Sequence, residues 1–249
     1  MKATERWYSD RVKRQVTLCR WGTIGQPVLL FPTAGGDAEE AERWQMMQAL
    51  SPLIDGGKIK VYSCDSVAGR ALVEREGSPK HRMWLQNEFH QYIRHEVVPA
   101  IRNDCKTPDI EIWSAGMSFG AFHAVAAICR FPDVFSKAVG ISGTYDLRRF
   151  YEGAGPHDFD DYYFVSTPLE FVPTLAGRHL DVLRTRFVLM PSGEGRAEDI
   201  TESFRMANVL GRMGVPNRVD SWGKEWPHDW ATWRKMLPQV LTEWTGGKS

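Results

Sequence analysis

The alternation of β-rich and helix-like segments constrains the fold of this chain more than any other feature of its sequence. Short apolar runs at Pro27–Phe31, Ile59–Cys64 and Lys137–Ser142 predict buried strands. Two segments between them are typical of helices. Apolar side chains recur at helical spacing over residues 84–103, and the Ala-rich segment Phe119–Arg130 stops just before a proline. Strands that alternate with helices predict the α/β class, with a mostly parallel sheet and helices on both faces.

The rest of the chain extends this pattern with further elements. The further predicted strands are Val16–Trp21, Asp109–Trp113, Arg186–Met190 and Arg218–Trp222. The further predicted helices are Ile200–Met213 and Trp230–Trp244. Pro99 is expected to kink the helix of residues 84–103 or to break its last turn, because proline lacks a backbone N–H. No repeat or linker interrupts residues 1–249, a length that suits a single domain.

One segment, residues 144–178, departs from the alternation. It is rich in Tyr and Phe, with scattered Gly, Pro and Asp. Two interpretations are equally weighted. The segment either lines the ligand crevice at the carboxyl ends of the strands, or forms a surface excursion that is packed by its own aromatic side chains.

Composition excludes several classes of function. Acidic and basic residues balance at 31 each, which argues against nucleic-acid binding and against an anionic membrane surface. The four cysteines are far apart and form no CxxC pair, so we expect neither a zinc site nor a redox dithiol. No signal peptide and no membrane span are evident, and a cytoplasmic location is the expectation. The sequence gives no sign of an oligomeric state.

The strongest chemical motif is Gly116-Met117-Ser118-Phe119-Gly120, which lies between a predicted strand and a predicted helix. G-x-S-x-G in that context is the nucleophile elbow of α/β-hydrolases, where the serine occupies a strained turn and the glycines prevent collisions across it. Ser118 is therefore the predicted nucleophile. A glycine-flanked serine in an ordinary tight turn is the lesser alternative.

A nucleophilic serine needs a base, and in α/β-hydrolases the chain order is serine, acid, histidine. Among the seven histidines, His228 alone follows the candidate acids, in a loop between the last predicted strand and helix. The acid is expected in the loop after Arg186–Met190, where Glu194, Glu198 and Asp199 compete and spacing does not choose among them. Asp199 is also well placed to cap the following helix.

The remaining histidines do not suggest a second site. His90 and His95 are five residues apart on a predicted helix and do not share a face, so they are poor metal ligands. His123 lies on a buried helix and is interpreted as a packed core histidine. We therefore expect no metal and no cofactor.

The oxyanion that forms during acyl transfer needs two backbone donors. One is the N–H of Phe119, which directly follows the nucleophile. The other is expected from Ala34 or Gly35 in the small-residue loop after Pro27–Phe31. A plain Gly-Gly turn is the alternative interpretation of that loop.

Two stretches of the sequence resemble the putative esterase family, the esterase D and antigen 85 branch of the α/β-hydrolases. The first runs from Ser114 to Gly143 and contains the elbow, and the second runs from Gly223 to Trp233 and contains His228. The resemblance implies carboxylester hydrolysis or acyl transfer without a cofactor, with Ser118 and His228 as catalytic residues and the acid best placed at Asp199. Many members carry His-Gly at the oxyanion loop, whereas this chain has Thr33-Ala34.

The leading hypothesis is thus a carboxylesterase that acts on a small-molecule ester. Acyl transfer, or thioester or amide hydrolysis, by the same triad is the related alternative. A non-catalytic binding protein of the same fold is the alternative from a different class. Such a protein would be expected to lose the serine or the histidine, and this chain keeps both.

Overall fold

The computed structural model describes residues 1–155 and 157–246; Pro156 and residues 247–249 lie outside the described part. One eight-stranded sheet organises the chain, in the order β1-β2-β4-β3-β5-β6-β7-β8. Its strands are β1 Lys2–Ser9, β2 Arg14–Trp21, β3 Gln26–Phe31, β4 Ile59–Cys64, β5 Ile112–Met117, β6 Phe135–Ile141, β7 Phe187–Ser192 and β8 Asn217–Ser221. β2 pairs antiparallel with β1 and β4, and the other pairs are parallel. The predicted α/β class with a mostly parallel sheet is confirmed.

Helices cover both faces of this sheet. They are α1 Glu40–Arg43, α2 Met46–Ala49, α3 Ser51–Asp55, α4 Val67–Val73, α5 Pro79–Tyr92, α6 Val98–Asp104, α7 Phe119–Arg130, α8 Asp161–Ser166, α9 Pro168–Phe171, α10 Gly177–Leu183, α11 Ile200–Arg212 and α12 Trp230–Trp244. Strand β3 contributes side chains to an apolar core on each face of the sheet. Leu29 and Phe31 pack in one core with residues of α5, α7 and α11. Val28 and Leu30 pack in the other core with residues of α2 and α12. A strand buried on both faces needs a continuous apolar run, as this sequence has. None of the helices in the described ranges is long and apolar enough to cross a lipid bilayer.

The predicted elements differ from the structure mainly at their ends. Helices α7 and α12 have the predicted bounds. Strand β5 was expected at Asp109–Trp113 but runs from Ile112 to Met117, because the small residues before the elbow continue to pair with β3 and β6. Strand β1 was not predicted. It is an edge strand with mostly exposed side chains, so it lacks the apolar run that marks the others.

Pro99 does not break the last turn of its helix, which was one of the two outcomes expected of it. The helix continues from Pro79 to Asp104, with a π-helical turn at Ile93–Val97 between α5 and α6. Pro99 follows directly, in the first turn of α6. A wider turn before a proline accommodates the missing N–H and the ring without ending the helix.

The aromatic segment 144–178 combines features of both interpretations. Tyr151, Phe159 and Tyr163 pack on one another, with ring centroids 4.7 to 6.0 Å apart. The same cluster includes Phe119, and Ala34 packs against it. The segment is thus packed by its own aromatic side chains, and this packing reaches both residues that were expected to supply oxyanion donors.

A polar cluster lies buried between α5 and α7. The Nδ1 of His123 lies 3.2 Å from the Nε2 of His90, and Arg130 donates a hydrogen bond of 3.1 Å to His90 Nδ1. Burial lowers the pKa of His123 to about 3, and burial together with the Arg130 charge lowers the pKa of His90 well below its usual value. His123 is fully buried, as the sequence predicted for a core histidine.

This cluster makes the stability of the fold depend on pH. The pKa of His123 is lower in the folded chain than in the unfolded chain, so its contribution is fully present above about pH 6.5 and is lost as the pH falls towards about 3. We expect His123 to lower the free energy of unfolding by about 2 kcal/mol between pH 7 and pH 5.

The measurement is urea unfolding at both pH values for wild type and His123→Leu. The variant is expected to lose about 2 kcal/mol less than the wild type over this pH range. An equal loss in the two proteins would contradict the assignment. His157→Leu, in the exposed part of segment 144–178, is the matched control and should behave as wild type.

Candidate active site

The turn between β5 and α7 has the geometry of a nucleophile elbow. Ser118 adopts φ 54° and ψ −120°, a backbone conformation that residues other than glycine rarely occupy. A Cβ atom on Gly116 would lie 2.1 Å from the carbonyl oxygen of Gly120, and one on Gly120 would lie 2.4 Å from that of Phe31. Both contacts are with backbone. The two glycines therefore let the elbow close against the end of β3.

We expect Gly116→Ala to destabilise the fold by several kcal/mol, because the clash is with backbone atoms that no rotamer change can relieve. Gly35→Ala is the matched control, since no atom lies within 4 Å of its added Cβ, and its melting temperature should stay near that of wild type. The two melting temperatures can be compared by calorimetry. Equal values for the two variants would show that the elbow relaxes around the added methyl group.

A chain of hydrogen bonds joins the side chains of Ser118, His228 and Glu198, with His228 in the middle. The Nε2 of His228 is 3.0 Å from the Oγ of Ser118, and its Nδ1 is 3.3 Å from Oε2 of Glu198. The Glu198 side chain is 1% exposed and that of His228 is 26% exposed. The imidazole can thus accept the serine proton on one nitrogen while the buried carboxylate holds the other nitrogen as N–H.

Asp199, the favoured acid, does not contact His228 in the structure. Its carboxylate caps α11 by accepting a hydrogen bond of 3.1 Å from the Thr201 N–H, the competing role that the sequence left open. Glu194 accepts a hydrogen bond from the hydroxyl of Ser221 on β8. The expectation for Asp199 is therefore corrected: of the three carboxylates, Glu198 is the one within reach of the imidazole.

A residue with left-handed backbone geometry precedes Glu198 and Asp199, whose carboxylates make different contacts. Ala197 has φ 64°, which turns the chain just before Glu198. The Glu198 side chain then faces His228, and the Asp199 side chain caps the start of α11.

The loop that carries Glu198 and the loop that carries His228 are bonded to each other through their backbones. Four hydrogen bonds of 2.9 to 3.1 Å join them: Trp222 N–H to Ser192, Glu194 N–H to Gly223, Gly195 N–H to Trp226, and His228 N–H to Arg196. Gly193 permits this approach, because a Cβ there would lie 2.0 Å from the Trp226 carbonyl oxygen. Glu198 and His228 thus stand on one doubled loop.

The predicted oxyanion donors lie on either side of the elbow. The N–H of Phe119 is at the first position of α7, where a helix has no internal acceptor for it. The Ala34–Gly35 loop is braced by Glu40, whose carboxylate accepts 2.8 and 2.6 Å hydrogen bonds from the N–H and the hydroxyl of Thr33. Among the described residues, no hydrogen bond engages the N–H groups of Phe119, Ala34 or Gly35, so all three are available to a ligand.

Sequence reasoning missed four residues that shape this site: Glu40, Ser142, Ser192 and Trp233. Ser142 directly follows β6, the strand next to the elbow strand, and Ser192 ends β7, which lies one strand further along the sheet. Their position after predicted parallel strands is the signal that could have identified them, since the carboxyl ends of such strands line the crevice. Glu40 lies in an acidic run that gives no such signal.

Other surface features lie away from these residues. A groove of about 730 Å³ is lined by residues of α6 and its flanks, among them Arg94, Arg102 and Lys106, and by none of the candidate site residues. No group of three or more potential metal-ligating side chains occurs within residues 1–155 and 157–246.

Comparison with known proteins agrees with this geometry. A ferulic acid esterase structure superposes with a TM-score of 0.73 at 14% identity, covering 99% of this chain and 98% of that one. The structure of an S-formylglutathione hydrolase from Agrobacterium tumefaciens superposes with a TM-score of 0.71 at 11% identity, covering 98% of this chain and 94% of that one. The structure of MPT51 from Mycobacterium tuberculosis superposes with a TM-score of 0.68 at 14% identity, covering 98% of this chain and 99% of that one. No curated protein sequence matches the chain.

The sheet order, the elbow and these superpositions define the α/β-hydrolase fold. The family model described as "Putative esterase" matches residues 55–243. The chain therefore belongs to the putative esterase family, as the resemblance implied, and is an esterase-like serine hydrolase.

Proposed function

We propose that this protein hydrolyses small-molecule carboxylic esters through an acyl-enzyme on Ser118. The observation that carries the proposal is the hydrogen-bonded order Ser118 Oγ, His228 Nε2, His228 Nδ1, Glu198 Oε2, with neighbouring distances of 3.0 and 3.3 Å. His228 removes the serine proton as the hydroxyl attacks the acyl carbon. Glu198 fixes the tautomer of the imidazole and stabilises the imidazolium that forms.

The backbone supplies the electrostatic part of the mechanism. In this proposal, the N–H of Phe119 and that of Ala34 or Gly35 bind the oxyanion of the tetrahedral intermediate. The N-terminus of α7 adds a favourable potential at the same place. The donor is a backbone group, so Thr33-Ala34 in place of His-Gly is compatible with this role. His228 then returns the proton to the leaving alcohol, and water releases the acid by the same steps.

The experiment is labelling by a fluorophosphonate, followed by turnover of nitrophenyl esters of increasing acyl length. Labelling of wild type at Ser118, and its absence in Ser118→Ala, is the expected result. A wild-type protein that neither reacts with the probe nor turns over any ester would support the binding-protein alternative. The ester panel reports the acyl group that the site accepts.

Thioester hydrolysis is the second candidate, and acyl transfer uses the same acyl-enzyme. Two structural neighbours are described as S-formylglutathione hydrolases, and a thioester carbonyl would be attacked by the same groups. Comparing oxygen and sulfur esters of one acid, with and without an added alcohol acceptor, separates these activities.

We further propose that residues 1–249 form one domain, with the aromatic segment 144–178 as part of it. The supporting observation is that one sheet takes strands from Lys2 to Ser221, with a core on each face. A cytoplasmic location is proposed on the basis of the cysteines. All four are free thiols, three of them buried, which suits a reducing compartment.

A further inference from the structure

Glu198 is a buried carboxylate that faces three polar side chains. Its Oε2 faces His228 Nδ1 and, at 3.4 Å, the hydroxyl of Ser192. Its Oε1 accepts a shorter hydrogen bond, 2.5 Å, from the hydroxyl of Ser142. A carboxylate with 1% exposure remains ionised only when donors replace water. Ser142 is therefore the main donor to the oxygen that does not face the imidazole.

The hydroxyl of Ser142 is itself oriented by Trp233. A hydroxyl donates one hydrogen bond, and an indole N–H can only donate. The Nε1–H of Trp233 donates to Ser142 Oγ at 3.1 Å, so the serine proton is directed to Glu198. The backbone of Ser142 is also fixed, with φ 49° and an N–H that donates to the Pro191 carbonyl at 2.8 Å.

The same indole packs against the base. The rings of Trp233 and His228 are nearly perpendicular, at 86°, with centroids 5.0 Å apart. Trp233 is 4% exposed and lies in the first turn of α12, five residues after His228. One side chain thus contacts the imidazole directly and reaches the acid through a single hydroxyl.

We propose that Trp233 and Ser142 are positioning residues of the active site, acting as a relay in which the indole orients the Ser142 hydroxyl and that hydroxyl holds the Glu198 carboxylate in place facing His228. This inference rests on the proposed function. It assigns to the end of β6 and the start of α12 a role that the Ser118–His228–Glu198 arrangement alone does not contain.

The neighbouring charged side chains make contacts of their own. Asp199 binds Thr201 at the start of α11, and Asp229 caps α12 through the N–H of Thr232. Glu202, one turn along α11, accepts from the backbone N–H groups of Tyr145 and Asp146, and Arg205 lies 3.9 Å away. Glu194 is bound to Ser221, and Arg196 offers its backbone carbonyl to the His228 N–H.

Removing the relay should change how the Glu198–His228 pair takes up a proton. A donor to a carboxylate favours its charged form, so losing that donor makes protonation of the pair easier, whichever partner takes the proton. Activity requires the unprotonated pair. The acidic limb of the rate profile should therefore move to higher pH, a result that loosened packing alone does not produce.

The test measures the rate of fluorophosphonate labelling of Ser118 between pH 5 and 9, a readout that needs no known substrate. We expect Ser142→Ala to react about 10- to 100-fold more slowly, the cost of losing a hydrogen bond to a charged group, with its acidic limb about one pH unit higher. Trp233→Phe, which keeps a ring beside His228, should show the same shift with a smaller loss. Trp244→Phe is the matched control, because its indole packs on Trp113 at the far end of α12 and should leave the profile unchanged.

Two further variants keep the test decisive. Ser142→Gly also lacks the hydroxyl but relieves the left-handed backbone, so a shift equal to that of Ser142→Ala assigns the effect to the hydroxyl. The double variant Ser142→Ala/Trp233→Phe should match Ser142→Ala in the position of its limb, because the indole N–H acts through the hydroxyl.

Failure of the relay and failure of the proposed function give different results. If wild type is not labelled at Ser118, both are overturned. If wild type is labelled and folded Ser142→Ala and Ser142→Gly keep the wild-type limb, whatever their rates, the relay is overturned and the proposed function stands. Should Trp233→Phe fail to fold, the two Ser142 variants decide the question.

Discussion

Ser118→Ala is expected to reduce ester turnover by about four to six orders of magnitude while leaving the fold intact. In the proposed mechanism its Oγ forms the acyl-enzyme, and alanine at φ 54° introduces no new steric conflict. The substitution leaves the proposed oxyanion donors unchanged, so we expect the loss to fall on kcat. Steady-state kinetics and a melting curve on the same preparation measure both quantities.

The control for this variant is Ser136→Ala, a serine on β6 that lies outside the site and should keep wild-type turnover. A Ser118→Ala protein that retained more than about a tenth of wild-type turnover would exclude Ser118 as the nucleophile, because loss of a nucleophile costs far more. Loss of labelling by the fluorophosphonate in the same variant would identify the reacting atom independently of any ester.

Glu198→Gln is expected to lower kcat by about a thousandfold or more. The substitution keeps the size of the side chain but removes the charge that stabilises the imidazolium, and an amide in place of the carboxylate supports the wrong tautomer. Asp199→Ala should instead lower the free energy of unfolding by about 0.5–2 kcal/mol through loss of the α11 cap, with turnover near wild type. Glu194→Gln should change neither quantity greatly.

The three carboxylate variants together separate the acid from its neighbours. Turnover and urea unfolding are measured for each of them, so every variant has a chemical and a structural readout. A Glu198→Gln protein with normal turnover, beside an inactive Asp199→Ala protein of wild-type stability, would reverse the assignment and restore Asp199 as the acid.

Much of the fold follows from periodicity in the sequence. Strand β3 and helix α7 were predictable because burial on both sides requires unbroken apolar runs. Strand β1 was not, since an exposed edge strand carries mixed polar side chains. The π-helical turn before Pro99 was also hidden, because the helix absorbs the proline by a local change that apolar spacing does not reveal.

The residues of the candidate site also differ in how far the sequence predicts them. Ser118 lies in a local motif and His228 follows from chain order, so the sequence alone predicts both, and their catalytic roles stay predictions. Which of two adjacent carboxylates approaches His228 depends on the local course of the backbone, and Ala197, just before them, has a φ of 64°. Backbone handedness at a single non-glycine residue has no signature in composition or spacing. Ser142 and Trp233 meet across 91 residues of sequence, a contact that only the assembled sheet brings about.

The doubled loop that carries Glu198 and His228 has a consequence for how such enzymes can be recombined. Four backbone hydrogen bonds join the two loops, and Gly193 and Gly195 are needed for the close approach. The exchangeable unit is therefore the pair of segments 192–198 and 222–228. Transplanting either one alone from a relative would separate the acid from its base, whereas transplanting both should carry the complete proton-handling machinery onto another scaffold that supplies its own serine.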